Sequence, residues 1–252
     1  MPSRLLDAES ASGGTRKSEC VSIPNGRTWM DGTRRPMQAI IVSEPNERKK
    51  PMNKYFKHFV TVTKHRWVVF KECAACGIVW QGIVHDLSKY SPTEFVSSAR
   101  YFQGDKSPIE KEKAERGYSA AWLHHKGHNK HHWEYWTDFD KQGNIVTNPI
   151  PRKYIVEMVC DWIGAGKVYS GDKWTQSSPW EYYNKVRAGR HFEPEVEQEL
   201  VGLLAVIASN GLDRFHTVAK WYLRTKTGLN DLHTFAKKWL RSHEEKTDAK
   251  IH

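Results

Sequence analysis

The amino-acid sequence predicts an all-α fold, a helical bundle preceded by a flexible N-terminal tail. Apolar residues recur at helical spacing in several segments after residue 50, and no alternating strand pattern persists anywhere. Residues typical of helix ends flank several of these segments. The 252-residue length and the hydrophobic fraction of 38% are sufficient for one sizeable domain with a core.

The composition along the chain predicts three parts. Residues 1–50 are rich in Ser, Gly, Pro and Arg and are expected to form the flexible tail. Residues 51–190 contain most of the His and Asp residues that could carry chemistry, and they are predicted to form a metal-binding helical domain. Residues 191–252 are expected to add C-terminal helices that pack on the same domain.

Capping residues define the first predicted helices. Asn53 is the predicted N-cap of the first helix, and Gly77 is its predicted C-cap. Ser91 begins a later helix, with Glu94 completing a capping box. The predicted helical segments are residues 53–76, 78–84, a helix starting at 91, 109–127, 153–169, 194–209, 213–224 and 230–242, with loops at 103–108, 140–152 and 170–179.

Charge and hydropathy limit the class of protein. The net charge of +10 favours contact with phosphates, nucleotides or nucleic acid, but it does not choose among them. No apolar run approaches the roughly 20 residues that span a bilayer, and the N-terminus lacks the apolar stretch of a secretory signal. A cytoplasmic protein without a membrane partner is therefore expected.

The cysteines do not indicate a metal or redox motif. Cys73 and Cys76 form a C-x-x-C, but no second C-x-x-C completes a zinc ribbon. Because both lie in a predicted helix, we interpret them as buried structural thiols, which behave as small apolar side chains.

The doublet His85-Asp86 is the first candidate for chemistry. Neighbouring His and Asp residues can supply one nitrogen and one oxygen ligand from a single helical turn, and the carboxylate can bridge two metal ions. The doublet follows the apolar run 82–84 and precedes Lys89. We therefore expect a buried helix to carry it to a polar, cationic place, where Lys89 either steadies a substrate phosphate or is simply solvated.

A His-rich segment at residues 124–132 is the second candidate. It contains His124, His125, His128, His131 and His132, and Trp residues lie on both sides of it. A solvated His-rich turn and a metal shell both remain open. The aromatic flanks favour the metal shell, because aromatic packing fixes the orientation of imidazole rings.

Single polar residues in apolar helices complete the set of candidates. His58 and His65 lie seven residues apart, on one face of the first helix, so either could be a ligand upstream of the doublet. Asp161 lies in an apolar helix, where a carboxylate is costly unless it is paired or binds a metal. A buried salt bridge, for instance to Lys167, is the alternative for Asp161.

In chain order these residues resemble the HD-domain superfamily of metal-dependent phosphohydrolases, whose helical bundle holds the pattern H…HD…D around a metal. More closely, three segments resemble an uncharacterised HD-like family of bacteria and phages. These are TKHR at 63–66, QGIVHDLSKYSPTEF at 81–95 and GYSAAWLHHKGHNKHHWEYW at 117–136.

The resemblance implies particular ligands. It selects His65 over His58 as the first ligand, makes His85 and Asp86 the doublet, and makes Asp161 the closing carboxylate. It also implies that further His residues between the doublet and Asp161 bind a second metal. The candidates for that role are His124, His125, His131 and His132, and the sequence does not choose among them.

These inferences lead to three candidate functions. The first is a phosphohydrolase with one or two divalent ions of Mn, Fe, Co, Ni or Zn, which acts on a phosphate-bearing small molecule, a nucleotide or nucleic acid. The second is a diiron oxygenase of the HD type, and the third is a regulatory metal-binding module without turnover. The sequence leaves the oligomeric state open.

Overall fold

A computed structural model describes residues 53–225, 232–234 and 237 of the chain. This part is all-α apart from one two-stranded sheet, which confirms the predicted fold class. The predicted tail at 1–50 and most of the predicted helix at 230–242 lie outside the described residues. The helices are α1 Lys54–Cys76, α2 Val79–Val84, α3 Pro92–Tyr101, α4 Pro108–Arg116, α5 Ala120–His128, α6 Arg152–Ser170, α7 Ser178–Val186 and α8 Pro194–Arg224; the strands are β1 Thr137–Phe139 and β2 Ile145–Thr147.

The caps predicted for α1 are confirmed. The Asn53 side chain accepts a hydrogen bond from the backbone N–H of Tyr55 at 2.9 Å. Gly77 follows the helix with φ of 85°, a left-handed conformation that glycine adopts without steric cost. Helix α1 therefore begins and ends where its local sequence predicts.

The single helix predicted at 109–127 is wrong, because the structure has two helices there. Gly117 ends α4 with φ of 78°. Ser119 then begins α5 as its N-cap, and its Oγ accepts a hydrogen bond from the backbone N–H of Trp122 at 3.0 Å. The new helix direction places the His-rich segment beside the 85–86 doublet.

Two further regions differ from the prediction. The loop predicted at 140–152 contains β2, which pairs antiparallel with β1. Helix α7 was not predicted. The break predicted between the helices at 194–209 and 213–224 is confirmed, because α8 is interrupted by a kink at Gly211, whose φ of 80° and ψ of 178° are not helical.

The core lies where α1, α6 and α8 pack together, with α7 against α6 and α8. Gly164 permits the close approach of α6 to α1, since a Cβ atom there would lie 2.4 Å from Val69 Cγ2. Cys73, Cys76 and Cys160 are free and fully buried in this core, as the interpretation of the C-x-x-C as structural thiols requires. Of the helices in the described residues, none is long and apolar enough to cross a membrane.

Candidate metal centre

The His85-Asp86 doublet lies at a break between helices, so the prediction that a helix carries it is wrong. Helix α2 ends at Val84, and Asp86 has φ of 53° and ψ of 26°. Among the described residues it is the one non-glycine residue with positive φ. Such conformations persist where the surrounding structure holds them, and they cluster at functional sites. The break turns the two side chains toward the bundle interior, where both are buried.

Arg66 holds this break in place from α1. Its Nε donates a hydrogen bond to the carbonyl oxygen of His85 at 2.7 Å, and its Nη2 donates to the carbonyl of Ile83 at 2.9 Å. Both acceptors belong to the end of α2, whose last carbonyls have no partner within the helix. Since His65 precedes Arg66, one turn of α1 supplies a candidate ligand and also fixes the doublet.

A first group of four buried or largely buried side chains can hold a metal ion. His65 Nε2 lies 3.1 Å from Asp161 Oδ1 and 3.5 Å from His85 Nε2. Asp86 Oδ2 lies 3.3 Å from His85 Nε2. This group joins α1, the break after α2, and α6. It consists of His65, His85, Asp86 and Asp161.

A second group adjoins the first on the other oxygen of Asp86. His125 Nε2 lies 3.3 Å from Asp86 Oδ1, and His131 Nε2 lies 3.5 Å from the same oxygen. The His132 ring packs against both, with ring centroids 4.8 Å from His125 and 4.2 Å from His131. The group consists of Asp86, His125, His131 and His132.

The donor atoms of both groups fit a transition-metal ion. Ligand atoms at about 2.1 Å from one ion are separated from one another by roughly 3.0–3.4 Å in octahedral or tetrahedral geometry, close to the distances found in both groups. Asp86 Oδ1, His131 Nε2 and His132 Nε2 are also buried without a hydrogen-bond partner among the described residues. Buried polar atoms without partners are costly, and an ion would satisfy them.

Glu157 orients one imidazole of each group. Its Oε1 accepts hydrogen bonds from His85 Nδ1 at 3.0 Å and from His131 Nδ1 at 3.1 Å. With Nδ1 protonated, the Nε2 lone pair of each ring is directed toward Asp86. Carboxylates play this orienting role around metal-binding His residues, and they also raise the basicity of the ligand.

Glu94 orients the second group from α3. Its Oε2 accepts a hydrogen bond from His125 Nδ1 at 2.8 Å, and its Oε1 accepts one from His124 Nδ1 at 2.7 Å. The predicted capping box is thus only half formed: Ser91 Oγ accepts from the Glu94 N–H at 3.4 Å, while the Glu94 carboxylate contacts the two His residues. His124 lies outside both groups, and its ring stacks on His128 with centroids 3.9 Å apart.

The charge around Asp86 favours a cation between the carboxylates. Burial alone would lower the pKa of His85, but Asp86, Asp161 and Glu157 raise it well above its usual value. Burial would raise the pKa of Asp86, yet His85, Lys89 and His125 hold it well below the usual range. His132 shows the opposite effect, because burial and then the neighbouring His131 and His125 lower its pKa well below the usual value. These carboxylates therefore stabilise positive charge where the Nε2 atoms meet, whereas His132 is a neutral donor.

Lys89 contacts the candidate centre directly. Its Nζ lies 2.6 Å from Asp86 Oδ2, and about a quarter of its side chain is exposed. Lys89 also lines a cavity of about 600 Å³ that reaches both groups. Residues of each group line the same cavity, among them His65, Asp161, His125 and His132. A molecule in this cavity would contact the metal ligands and the Lys89 ammonium together.

His58 lies in the cavity wall, away from both groups. Its ring packs between Phe95 and Phe102, at 5.3 Å from each centroid. Burial and the nearby Lys89 charge lower its pKa to about 4, so it is neutral at physiological pH. The structure therefore brings His65, and not His58, to the doublet. Asp161 is likewise not paired with Lys167, whose Nζ donates to Glu72 at 2.7 Å.

The comparison with known protein families matches residues 54–206 to a family of unknown function, DUF5662. This match contains every residue of the two groups. It also contains helices α1, α5 and α6, which carry His65, His125 and Asp161. No curated protein and no solved structure matches the chain.

Proposed function

The chain belongs to the family of unknown function DUF5662, and we propose that it is a metal-dependent phosphohydrolase with a dinuclear site. The observation that carries the proposal is the sharing of Asp86. Its Oδ2 faces His65 and His85 of the first group, and its Oδ1 faces His125 and His131 of the second. A carboxylate placed between two ligand sets is suited to bridge two ions.

Each ion would have its own set of protein ligands. His65, His85 and Asp161 would hold one with Asp86 Oδ2, and His125, His131 and His132 would hold the other with Asp86 Oδ1. Imidazole and carboxylate donors suit Mn, Fe, Co, Ni or Zn better than Ca. When bound, such ions supply an acidified water and a Lewis acid for a phosphoryl oxygen.

The cavity supports a phosphate-bearing substrate. Lys89, Lys185 and Arg190 contribute positive charge to its wall. The Lys89 ammonium lines the cavity beside Asp86, where it can donate a hydrogen bond to a phosphate oxygen. The net charge of +10 adds a long-range attraction for the same class of molecule.

The order of the ligands along the chain supports the same reaction. His65, the doublet 85–86 and Asp161 follow the H…HD…D pattern of the HD-domain phosphohydrolases, which the sequence resembles. In the structure these residues form one group, and the intervening His residues form the second. The proposal therefore rests on both the pattern and the geometry, while the specific substrate, a nucleotide or another phosphate ester, stays a prediction.

The test is metal analysis followed by an activity panel. We expect chain purified without added metal, and then reconstituted, to bind about two ions, as two ligand sets require. Mn, Co, Ni or Zn should then support phosphate release from a panel of phosphomonoesters, phosphodiesters and nucleotides. Absence of stoichiometric metal, or no hydrolysis with any ion, would contradict the proposal.

The same paired groups support a second candidate, a diiron oxygenase, because a site with two His- and Asp-bound ions suits either chemistry. Metal content separates the two functions. About two Fe per chain, with oxygen consumption and no phosphate release, would favour the oxygenase. Tight metal binding with neither activity would leave the regulatory module.

A further inference from the structure

Arg190 packs against two aromatic side chains in the cavity wall. Its Cζ lies 5.1 Å from the ring centroid of Trp162 and 5.6 Å from that of Tyr182. Its Nη2 donates a hydrogen bond to the Tyr182 hydroxyl at 3.1 Å. Cation–π contacts of this kind fix the plane of a guanidinium, so little side-chain entropy remains to be lost when it binds a ligand.

Arg190 forms no salt bridge within the part of the chain that the structure describes. Its charge acts on the buried Glu134, whose pKa is raised by burial and lowered in part by Arg190. Lys89, in the same cavity, is paired with Asp86 at 2.6 Å, whereas the Arg190 side chain contacts two aromatic rings and the Tyr182 hydroxyl. Lys185, on α7, lines the same cavity. Glu94, Asp161 and Glu181 also line the cavity, and none of these carboxylates forms a salt bridge with Arg190 or Lys185.

Arg190 lines the same cavity as the metal ligands without belonging to either group. Trp162, beneath the guanidinium, directly follows the candidate ligand Asp161 on α6. Arg190 and Asp161 both line the one cavity. A molecule bound at the metal groups can thus extend toward Arg190.

We infer that Arg190, together with Lys185, forms a second anion-binding subsite for a substrate that carries an anionic group in addition to the phosphate at the metal centre. The inference rests on the proposed function and narrows its substrate class to compact molecules with two anionic groups. The additional anionic group of the substrate is a phosphate or a carboxylate, since the planar guanidinium binds either in the same bidentate manner.

The geometry favours an anion over an aromatic base at this place. The ring faces of Trp162 and Tyr182 that Arg190 contacts are already covered by the guanidinium. Stacking of a base on those faces would require Arg190 to leave. A second anionic group uses the guanidinium where it already lies.

The test measures binding to the full, metal-loaded chain by calorimetry. The ligands are three matched series with alkyl chains of varied length: hydroxyalkyl monophosphates, alkanediol bisphosphates and carboxyalkyl phosphates. At the best chain length we expect one doubly anionic series to bind roughly tenfold more tightly than its monophosphate, as a charge-assisted pair allows. The series that binds more tightly shows whether the additional anionic group is a phosphate or a carboxylate.

Substitution then assigns the gain to Arg190. Arg190→Gln should remove the advantage of the doubly anionic ligand, so that its dissociation constant becomes equal to that of the matched monophosphate. Arg187→Gln, which removes an exposed arginine of the preceding turn that does not line the cavity, is the matched control and should keep the advantage. If Arg190→Gln unfolds, Arg190→Lys, which retains the charge and loses the planar contact, should bind the second anion more weakly than the wild type.

Three results would overturn the inference, and they are distinguishable. The subsite would be contradicted if all series bound with equal affinity at every chain length. It would also be contradicted if Arg190→Gln lowered the affinity for monophosphates and for doubly anionic ligands equally. Either result would leave the proposed function intact. Failure of metal-loaded wild type to bind any monophosphate would count against the proposed function, and the subsite with it.

Discussion

The guanidinium of Arg66 donates from Nε to the carbonyl oxygen of His85 at 2.7 Å. This bond joins the middle of α1 to the break that carries Asp86. Because Asp86 occupies a left-handed conformation, which an aspartate adopts at some cost, the break needs support from outside its own segment. Arg66 provides it next to the candidate ligand His65.

Replacing Arg66 should therefore weaken metal binding without unfolding the bundle. We expect Arg66→Gln to lower metal affinity by about 10- to 100-fold, the usual effect of residues that support metal ligands. Competition with a chromophoric chelator measures the affinity, and circular dichroism checks the helices. Lys64→Gln, at an exposed position two residues earlier, is the control; equal affinities for the two variants would show that Arg66 does not hold the site.

The two orienting carboxylates should have different effects on the two groups. Glu157 contacts one His of each group, whereas Glu94 contacts only His125 of the second. Glu157→Gln should thus lower the affinity for both ions, and Glu94→Gln should lower the affinity for one of them. Each decrease should be about 10- to 100-fold. Calorimetric metal titration resolves the two steps. A Glu94→Gln protein in which both steps weaken equally would contradict this assignment.

Within the His-rich segment, neighbouring residues should behave differently. His125 Nε2 faces Asp86, while His124 stacks on His128 and bonds to Glu94. His125→Ala should bind one ion fewer per chain than the wild type, and His124→Ala should keep both, since removal of a direct ligand empties a site. Inductively coupled plasma mass spectrometry of the purified variants measures the stoichiometry. If His124→Ala loses the ion and His125→Ala keeps it, the second group is misassigned.

Local rules predicted the helices that have strong caps, and missed features set by distant contacts. Asn53 and Gly77 define α1 through bonds within a few residues. The break at Asp86 depends instead on Arg66, about twenty positions away in the chain. A helical pattern in 78–84 contains no sign of that contact, so the doublet was predicted within a helix.

The ligand candidates could be predicted because His and Asp are conspicuous in apolar surroundings, and the orienting glutamates were missed for identifiable reasons. Glu157 lies one helical turn before Asp161 in the same apolar helix, so the argument applied to Asp161 would have found it. Glu94 already had a role as a capping residue. Its carboxylate turns to His124 and His125 because α5 packs on α3, which the sequence does not specify.

Glu72, a buried carboxylate outside the candidate metal centre, should make the stability of the fold depend on pH. Glu72 of α1 accepts from Lys167 Nζ at 2.7 Å and from His216 Nε2 at 2.8 Å, which joins α1 to α6 and α8. Burial alone would raise the pKa of Glu72, but these two bonds hold it below the usual value. The folded state then binds fewer protons than the unfolded state near the pKa of an ordinary glutamate, about 4.3. This contribution to stability is present above that pH and is lost as the pH falls through the folded pKa.

Glu72→Gln should accordingly lower the free energy of unfolding at pH 7 by about 1.5–3 kcal/mol, the range for hydrogen bonds to charged groups. The difference from wild type should shrink as the pH falls below about 4. Urea unfolding across this range measures it. Glu115→Gln removes an exposed carboxylate 3.7 Å from Lys111 and should change stability by less than about 1 kcal/mol. A pH-independent difference for Glu72→Gln would refute the linkage.

Metal binding by Asp86→Asn tests the shared carboxylate most directly. Asparagine fits the left-handed backbone of this position and has nearly the same shape, so the bundle should remain folded, while the charge that faces both groups is removed. We predict that the affinity for both ions falls by more than the roughly 100-fold expected of a supporting residue, and that Asp105→Asn, an exposed control, binds like the wild type. An Asp86→Asn chain that binds two ions with wild-type affinity would contradict the dinuclear site.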